Sequence, residues 1–330
     1  MIVAQRPLLP GLGTLEDSEQ SAETADHAAA RRQTLLGFAA AATIAVIWSG
    51  FNIVSRLGGR SELTGFDLGA LRFGVSALIL FAVFLRRPTA IPWQQLVLLS
   101  MFGGIGYSLM VYCGFTLAPA AHAGILVNGG IPFTTALVAW LLLGFRPNRG
   151  VLIAFSLTGL GIALMAIHSL TVPTATASRQ WQGDILFLGG ALCWGVFGVL
   201  LRMWRLRPLD AMAGLATVSA LLYLPVYFLW LPTSMSTAPT AQIILQGGYH
   251  GIVVAICGGL LFTYAAQTIG PVKAALVLAL VPGITAVAAV PLLGEPIDAI
   301  TVFGLVCVTL GAVIGAIASA PHSPARSGDA

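Results

Sequence analysis

The sequence predicts an all-α integral membrane protein with ten transmembrane helices arranged as two inverted five-helix repeats. Three observations carry this prediction: the composition, a series of long apolar runs, and an internal repeat. Of the 330 residues, 57% are hydrophobic and 8% are charged, against roughly 45–50% and about 25% in soluble domains. With a mean hydropathy of +0.91, such a chain cannot cover a soluble surface. This excludes a soluble enzyme, a nucleic-acid binder and a disordered protein.

Apolar runs of about 20 residues, the length that crosses a bilayer as a helix, follow one another from residue 34 to residue 319. Charge and proline separate most of them, as at Arg86-Arg87-Pro88. We predict spans at 34–55, 67–85, 96–117, 121–144, 151–169, 183–203, 209–231, 245–267, 272–294 and 298–319. The connection at 118–121 is the shortest, so the third and fourth helices should form a tight antiparallel hairpin.

An internal repeat divides the chain into two halves. The segment GILVNGGIPFTTALVAWLLLG (124–144) aligns with AALVLALVPGITAVAAVPLLG (274–294) at a constant offset of 150 residues. We therefore assign residues 31–170 to the first five-helix repeat and residues 183–320 to the second. Because five is odd, the second repeat enters the membrane from the opposite side, an arrangement that many secondary transporters use.

Basic residues predict the orientation, because cytoplasmic loops collect Lys and Arg. With the N-terminus inside, twelve basic residues fall on the cytoplasmic side: Arg6, Arg31, Arg32, Arg86, Arg87, Arg146, Arg149, Arg202, Arg205, Arg207, Lys273 and Arg326. Three fall outside: Arg56, Arg60 and Arg179. Both termini are therefore predicted to be cytoplasmic. Residues 1–30, which are polar, are predicted to be a disordered tail, and residues 321–330 a second cytoplasmic tail.

Polar and aromatic residues inside the spans are the candidates for substrate binding. In an inverted-repeat bundle, such sites lie near the bilayer midplane between the repeats, and a buried amide requires a partner. Core packing and helix-to-helix hydrogen bonds are the alternative explanation for each. The candidates are Trp48, Asn52, Tyr107, Tyr112, Asn128, Trp194, Thr263 and Tyr264.

Two prolines at equivalent positions of the repeats predict bends in the fourth and ninth helices. Pro132 and Pro282 each remove a backbone N–H and clash with the preceding turn. Glycines adjoin both, at Gly129, Gly130 and Gly283. We predict that these bends act as hinges that expose a cavity, lined by the first, third, fourth, sixth, eighth and ninth helices, alternately to each side.

Arg72 is a cation well within a span, where it needs a partner or water. Asp67, Asp184 and Glu295 start or end helices near the same outer level. We predict that Arg72 pairs with one of these carboxylates and helps to close the outer side; snorkelling to the interface is the alternative. His122 and His250 lie near outer helix ends and are expected at the membrane interface.

The chain resembles the EamA family of the drug/metabolite transporter superfamily over residues 34–319. The resemblance rests on the five-plus-five repeat, on Trp48 and Trp194, on Leu71-Arg72-Phe73, and on the P…LLGE ending from Pro282 to Glu295. It implies export of amino acids or other small polar solutes across a bacterial inner membrane. One position departs from the family, since Gly144 is followed by Phe145 where the family often has Gly-Glu.

Other functions remain as alternatives. The runner-up is an exporter of drugs or toxic cations; a carboxylate in the middle of a span would suit such cations, and none is evident in the sequence. A membrane-embedded enzyme acting on lipid, or a non-transporting receptor, represents a different class. Walker, HExxH and GxSxG motifs are missing from the sequence, so we expect no enzyme activity of these kinds. We also expect no cofactor, metal or nucleic acid; the partners are a small solute and the lipid bilayer, and a homodimer is left open.

Overall fold

A computed structural model describes residues 12–86, 91–144, 146–171, 179–206 and 208–319. Within these ranges, ten helices are long and apolar enough to cross a membrane, which confirms the predicted number. We label them α1 Ala29–Gly59, α2 Gly65–Arg86, α3 Trp93–Leu117, α4 Ala120–Leu143, α5 Arg149–His168, α6 Gln180–Met203, α7 Asp210–Trp230, α8 Thr240–Thr268, α9 Pro271–Leu293 and α10 Ala299–Ala318. Two residues separate α3 from α4, as the tight hairpin requires.

The N-terminal segment differs from the predicted disorder. The helix that contains α1 begins at Leu12 and runs to Gly59. Residues 14–36 contain neither Gly nor Pro, and their many Ala, Glu and Gln residues favour a helix even though they are polar. The rest of the predicted tails, 1–11 and 321–330, lies outside the described residues.

Four helices are irregular, at matching positions in the two repeats. In α3 and α8 the backbone widens to π-helical turns over Ser100–Gly106 and Tyr249–Gly258, which overlap at the 150-residue offset. Helix α4 has a π-helical segment at Gly124–Asn128, while α9 ends its first part at Leu278 and resumes at Val281. Such turns leave backbone groups outside the regular hydrogen-bond pattern, and they often mark functional sites.

The repeats also end their fourth helices alike. Gly144 and Gly294 follow α4 and α9, and both have φ +65. This left-handed conformation favours glycine because it has no Cβ. The Gly-Gly correspondence in the sequence therefore reflects the same helix end, built twice.

Contacts between the repeats occur in symmetric sets. Helix α2 packs on α7, and α5 packs on α10, each against its own repeat equivalent. Helix α1 packs on α8 and α9, and α6 makes the equivalent contacts with α3 and α4. The interior is therefore shared by α1, α3, α4, α6, α8 and α9, the six helices expected to line a cavity. Large buried side chains there include Phe51, Tyr112, Phe115, Ile125 and Phe187.

Candidate functional site

Three buried carboxylates lie at one end of the bundle, which we call the carboxylate end. Asp67 is in the first turn of α2, Asp184 is near the start of α6, and Glu295 directly follows α9. Each is less than 5% exposed. A buried carboxylate is stable only when hydrogen bonds or cations compensate it, so the partners of these three groups define how this end is held together.

Glu295 joins three helices. Its Oε1 lies 2.7 Å from Arg56 Nε and 2.8 Å from an Arg60 guanidinium nitrogen at the end of α1. Its Oε2 accepts a hydrogen bond of 2.8 Å from the backbone N–H of Ala120. That N–H is at the start of α4, where backbone donors lack partners and favour negative charge. Arg56 also donates to the carbonyl of Phe115 near the end of α3.

Asp67 links α2 to the connection after α7. It accepts hydrogen bonds from the hydroxyls of Tyr227 (2.6 Å) and Thr233 (2.7 Å) and from the backbone N–H groups of Thr64 and Ser234. Four donors on one carboxylate are a strong arrangement, because hydrogen bonds to a charged group are stronger than neutral ones. They hold the ends of α2 and α7 together.

Asp184 binds His122. The histidine Nδ1 lies 2.8 Å from Asp184 Oδ1, and both side chains are nearly inaccessible. The pair connects the first turn of α4 to α6, across the boundary between the repeats. His122 is therefore a buried contact rather than the interfacial residue that its position near a helix end suggested.

The predicted pairing of Arg72 with a carboxylate is wrong. Asp67, Asp184 and Glu295 are bound by groups nearer to them, at the helix ends. Arg72 lies seven residues into α2, ~10 Å from its first residue at 1.5 Å per residue. Arg56 and Arg60 are not among the predicted site residues. Their spacing of four residues nevertheless places both on one face of α1, where they can share a partner.

Arg72 instead lies among aromatic residues in the interior. It is 9% exposed, and one guanidinium nitrogen is 3.4 Å from the hydroxyl of Tyr112. The ring of Phe51 lies 6.0 Å from that of Tyr112 and 6.5 Å from that of Tyr107. The rings of Tyr112 and His250 are 5.0 Å apart. Two predicted site residues, Tyr107 and Tyr112, are thus brought together with the cation.

His250 is also buried rather than interfacial. It is 0% exposed, and its Nε2 lies 2.9 Å from Oε1 of Gln246, whose amide nitrogen donates to the carbonyl of Val54. Its Nδ1 has no hydrogen-bond partner among the described residues. One helical turn of α8 therefore places the polar pair of Gln246 and His250 against α1. The pair lies next to Arg72, Tyr107 and Tyr112, which we call the Arg72 cluster.

The predicted aromatic residues have different surroundings in the two repeats. The ring of Trp194 packs 4.7 Å from Tyr107, so it adjoins the Arg72 cluster. Trp48 stacks on Phe262 at 5.9 Å in a separate group around α1 and α8. The two equivalent tryptophans therefore do not form one wall.

Two amides inside the bundle have hydrogen-bonding groups without a partner among the described residues. Asn52 is fully buried and donates to the Thr285 hydroxyl at 3.0 Å, while its Oδ1 has no such partner. Asn128 also lacks a partner for its buried Nδ2. Asn128 ends the π-helical segment of α4, and Thr285 lies one turn after the break in α9.

Among the described residues, Thr263 and Tyr264 in α8 make no hydrogen bond or ring contact with Arg72 or with the two amides. The Thr263 hydroxyl donates to the carbonyl of Gly259 in its own helix, and Tyr264 is 41% exposed. The structure does not bring these two candidates together with Tyr107 and Tyr112.

The predicted hinge residues lie at the helix breaks. Gly129 separates the two parts of α4, and Gly130 begins the second part, with Pro132 in its first turn. Pro282 is likewise in the first turn of the second part of α9, followed by Gly283. A first turn tolerates proline because its N–H has no helical acceptor. Each break therefore precedes its proline. At the break in α9, the Val281 carbonyl lies 3.2 Å from the Ser49 hydroxyl, which is closer, at 2.7 Å, to the Ala45 carbonyl of its own helix.

Comparison with known proteins gives the class and then the family. A crystal structure described simply as that of a protein has the same fold: the TM-score is 0.55 at 20% identity, and the alignment covers 86% of this chain and 96% of that one. The model of the EamA-like transporter family matches residues 35–167 and 181–316, one match for each repeat. The protein is thus a multi-pass membrane transporter, and it belongs to the EamA-like transporter family of the drug/metabolite transporter superfamily.

Two relatives carry general names. The "Uncharacterized transporter YyaM" of Bacillus subtilis is 24% identical over 256 residues, covering 73% of this chain and 81% of that protein. An "Uncharacterized transporter" of Archaeoglobus fulgidus is 26% identical over 269 residues, covering 78% and 90%. Their names support a transport function and state no substrate.

Proposed function

We propose that this transporter exports small metabolites, amino acids or related polar or amphipathic solutes, across the bacterial inner membrane by alternating access. The observation that carries the proposal is that three buried carboxylates, each bound to groups on other elements, hold one end of two matched repeats. Both termini are cytoplasmic in this proposal, as the basic residues indicate, so the carboxylate end faces outward.

The carboxylate end acts as the outer gate. Glu295, Asp184 and Asp67 each join elements that must separate for the interior to open outward. Glu295 and Asp184 hold contacts between the two repeats. Because the repeats are inverted, the same sequence elements at the opposite end can form the alternative closure when they exchange conformations. The breaks at Gly129 and in α9 allow parts of α4 and α9 to tilt separately from the rest of each helix.

Export of drugs or toxic cations is the second candidate and has less support. A cation in the interior would require a carboxylate there, and the buried carboxylates Asp67, Asp184 and Glu295 are engaged at one end. The interior cluster instead contains the Arg72 guanidinium, which repels cations. A lipid-modifying enzyme or a receptor is disfavoured by membership of a transporter family.

Two measurements test the proposal. First, metabolites in the medium of cells with and without the protein are compared, and we expect accumulation of one or a few polar solutes that depends on it. Second, each solute found is loaded into proteoliposomes that contain the purified protein, and its efflux is followed against protein-free liposomes. No difference in the medium, together with no protein-dependent flux of amino acids and related solutes, contradicts the proposal.

A further inference from the structure

We propose that Arg72, Tyr112 and Tyr107 form a binding site for the anionic group, a carboxylate or a chemically similar anion, of the transported solute. This inference rests on the proposed function, because it names the class of solute that the interior accepts. It also makes a claim about binding that can be measured without transport.

Arg72 has no carboxylate partner among the described residues. A guanidinium within a membrane span is unfavourable unless a counter-ion, hydrogen bonds or water compensate its charge. The nearby carboxylates have other partners: Glu295 binds Arg56 and Arg60, Asp184 binds His122, and Asp67 binds four donors. Among the described residues, the Arg72 guanidinium makes one hydrogen bond, the long one of 3.4 Å to the Tyr112 hydroxyl.

The hydroxyls of the tyrosines near Arg72 are available as hydrogen-bond donors. A guanidinium has five N–H donors and no acceptor. The Tyr112 hydroxyl accepts from Arg72, which leaves its own hydrogen to donate, and no described residue accepts it. Tyr107, which packs with Tyr112 around the ring of Phe51, has no hydrogen bond to a described residue either. Donors without acceptors around a positive charge match an anion with several lone pairs.

Part of the surface of Arg72 and Tyr107 remains accessible to a solute. Arg72 and Tyr107 keep 9% and 7% of their surface exposed, whereas Tyr112 is 0% exposed and acts on a solute by holding the Arg72 guanidinium. The other nitrogens of Arg72 make no hydrogen bond with described residues, and they are not among the fully buried unpartnered atoms. The guanidinium therefore keeps a small accessible surface although it lies inside the bundle. The aromatic ring of Trp194, packed on Tyr107, provides an apolar wall beside the Arg72 cluster.

The test compares acids with their amides, which differ mainly in charge. Full-length protein in lipid nanodiscs is heated with sodium acetate, benzoate, lactate or L-phenylalanine, and with acetamide, benzamide, lactamide or L-phenylalaninamide. Concentration and ionic strength are kept equal, and unfolding is followed by tryptophan fluorescence. We expect at least one acid to raise the unfolding midpoint by a few degrees, because a ligand that binds the folded state stabilises it, while its amide does not.

Variants identify the site. Arg72→Gln should abolish the shift, and Arg72→Lys should retain part of it, because lysine keeps the charge without the planar fork. Tyr112→Phe, which removes the acceptor of the Arg72 hydrogen bond, should reduce the shift and serves as a second variant if Arg72→Gln does not fold. Arg86→Gln is the matched control, the same substitution at an exposed position on the same helix, and should leave the shift unchanged.

Several outcomes overturn the inference: no acid raises the midpoint, the amides act as well as the acids, or the shift persists in both Arg72→Gln and Tyr112→Phe. The proposed function fails separately. If acids bind through Arg72 but no solute crosses proteoliposomes, the site stands and transport does not. If flux occurs and is insensitive to the charge of the solute and to Arg72, transport stands and the site does not.

Discussion

Arg56 of the first repeat and Glu295 of the second form an ion pair of 2.7 Å between Nε and Oε1. The residues are 239 positions apart in the chain, and the pair joins the end of α1 to the end of α9. Since the same carboxylate also binds Arg60 and the N–H of Ala120, a single side chain connects the ends of three helices. Glu295 is therefore the residue whose neutralisation should most directly loosen the carboxylate end.

We expect Glu295→Gln to destabilise this closed end. The amide can still accept one hydrogen bond, but two arginines lose their counter-ion, and Arg56 is only 12% exposed. The free energy of unfolding should fall by about 1–3 kcal/mol, the range for a buried group left without its partner. Titration with sodium dodecyl sulfate in mixed micelles measures this change.

Glu62→Gln is the matched control, because it makes the same substitution at an exposed residue of the same end. It should change stability little. Opening of the end can also be followed at Ala118, which is 0% exposed. In a cysteine-free background, Ala118→Cys should resist a membrane-impermeant maleimide and become reactive when Glu295→Gln is added. Equal stability of the Glu295 and Glu62 variants, with no gain in labelling, would show that this ion pair does not hold the end closed.

A second prediction concerns Tyr227, whose hydroxyl donates to Asp67 and also contacts Thr233. Tyr227→Phe keeps the ring and removes the hydroxyl, so Asp67 loses one of its donors. Because the acceptor is charged, the loss should be roughly 1.5–3 kcal/mol of unfolding free energy. Tyr264→Phe is the control, since Tyr264 is 41% exposed; a loss of the same size in both variants would contradict a special role for the Asp67 network.

The sequence predicted the bundle better than its contacts. Composition and run length depend on each helix alone, so ten spans, the α3–α4 hairpin and the two repeats follow from the printed residues. Partners depend on how helices are placed side by side. Arg72 illustrates the difference: its cost in a membrane signals that it needs compensation, but nothing in the sequence shows that Glu295 is already taken by Arg56 and Arg60.

Burial of histidine was missed for a related reason. His122 and His250 lie near helix ends, where an isolated helix would expose them at the interface. In the bundle, Asp184 of α6 binds His122, and Gln246 from the preceding turn of α8 binds His250. These hydrogen bonds compensate the burial of both rings. The N-terminal segment differs in the opposite sense: its polarity predicts disorder, whereas its residues favour the helix that begins at Leu12.

A third prediction tests the hinge in α9. An added Cβ at Gly283 meets no atom within 4 Å, so Gly283→Ala should fold normally and slightly stiffen the helix beside Pro282. If α9 flexes there during transport, turnover in proteoliposomes should fall several-fold while the unfolding midpoint stays the same or rises. Gly159→Ala in α5, which also has free space around it, should have the same effect on the midpoint and leave turnover unchanged. Equal turnover in both variants would place the hinge elsewhere.

The final prediction concerns the two amides with unused hydrogen-bonding capacity. Asn52 donates to Thr285 and keeps an unpartnered Oδ1, and Asn128 keeps an unpartnered Nδ2. An unpartnered buried amide costs about 1–3 kcal/mol, so removing one that binds only substrate should not weaken the fold. We therefore expect Asn128→Ala to lower solute flux while leaving the free energy of unfolding unchanged. Thr285→Val should lower stability, because it removes the acceptor from the Asn52 amide. Flux through reconstituted protein and denaturant titration of the same preparations separate the two effects. A stable Asn128→Ala protein with full flux would assign Asn128 to packing rather than to the solute path.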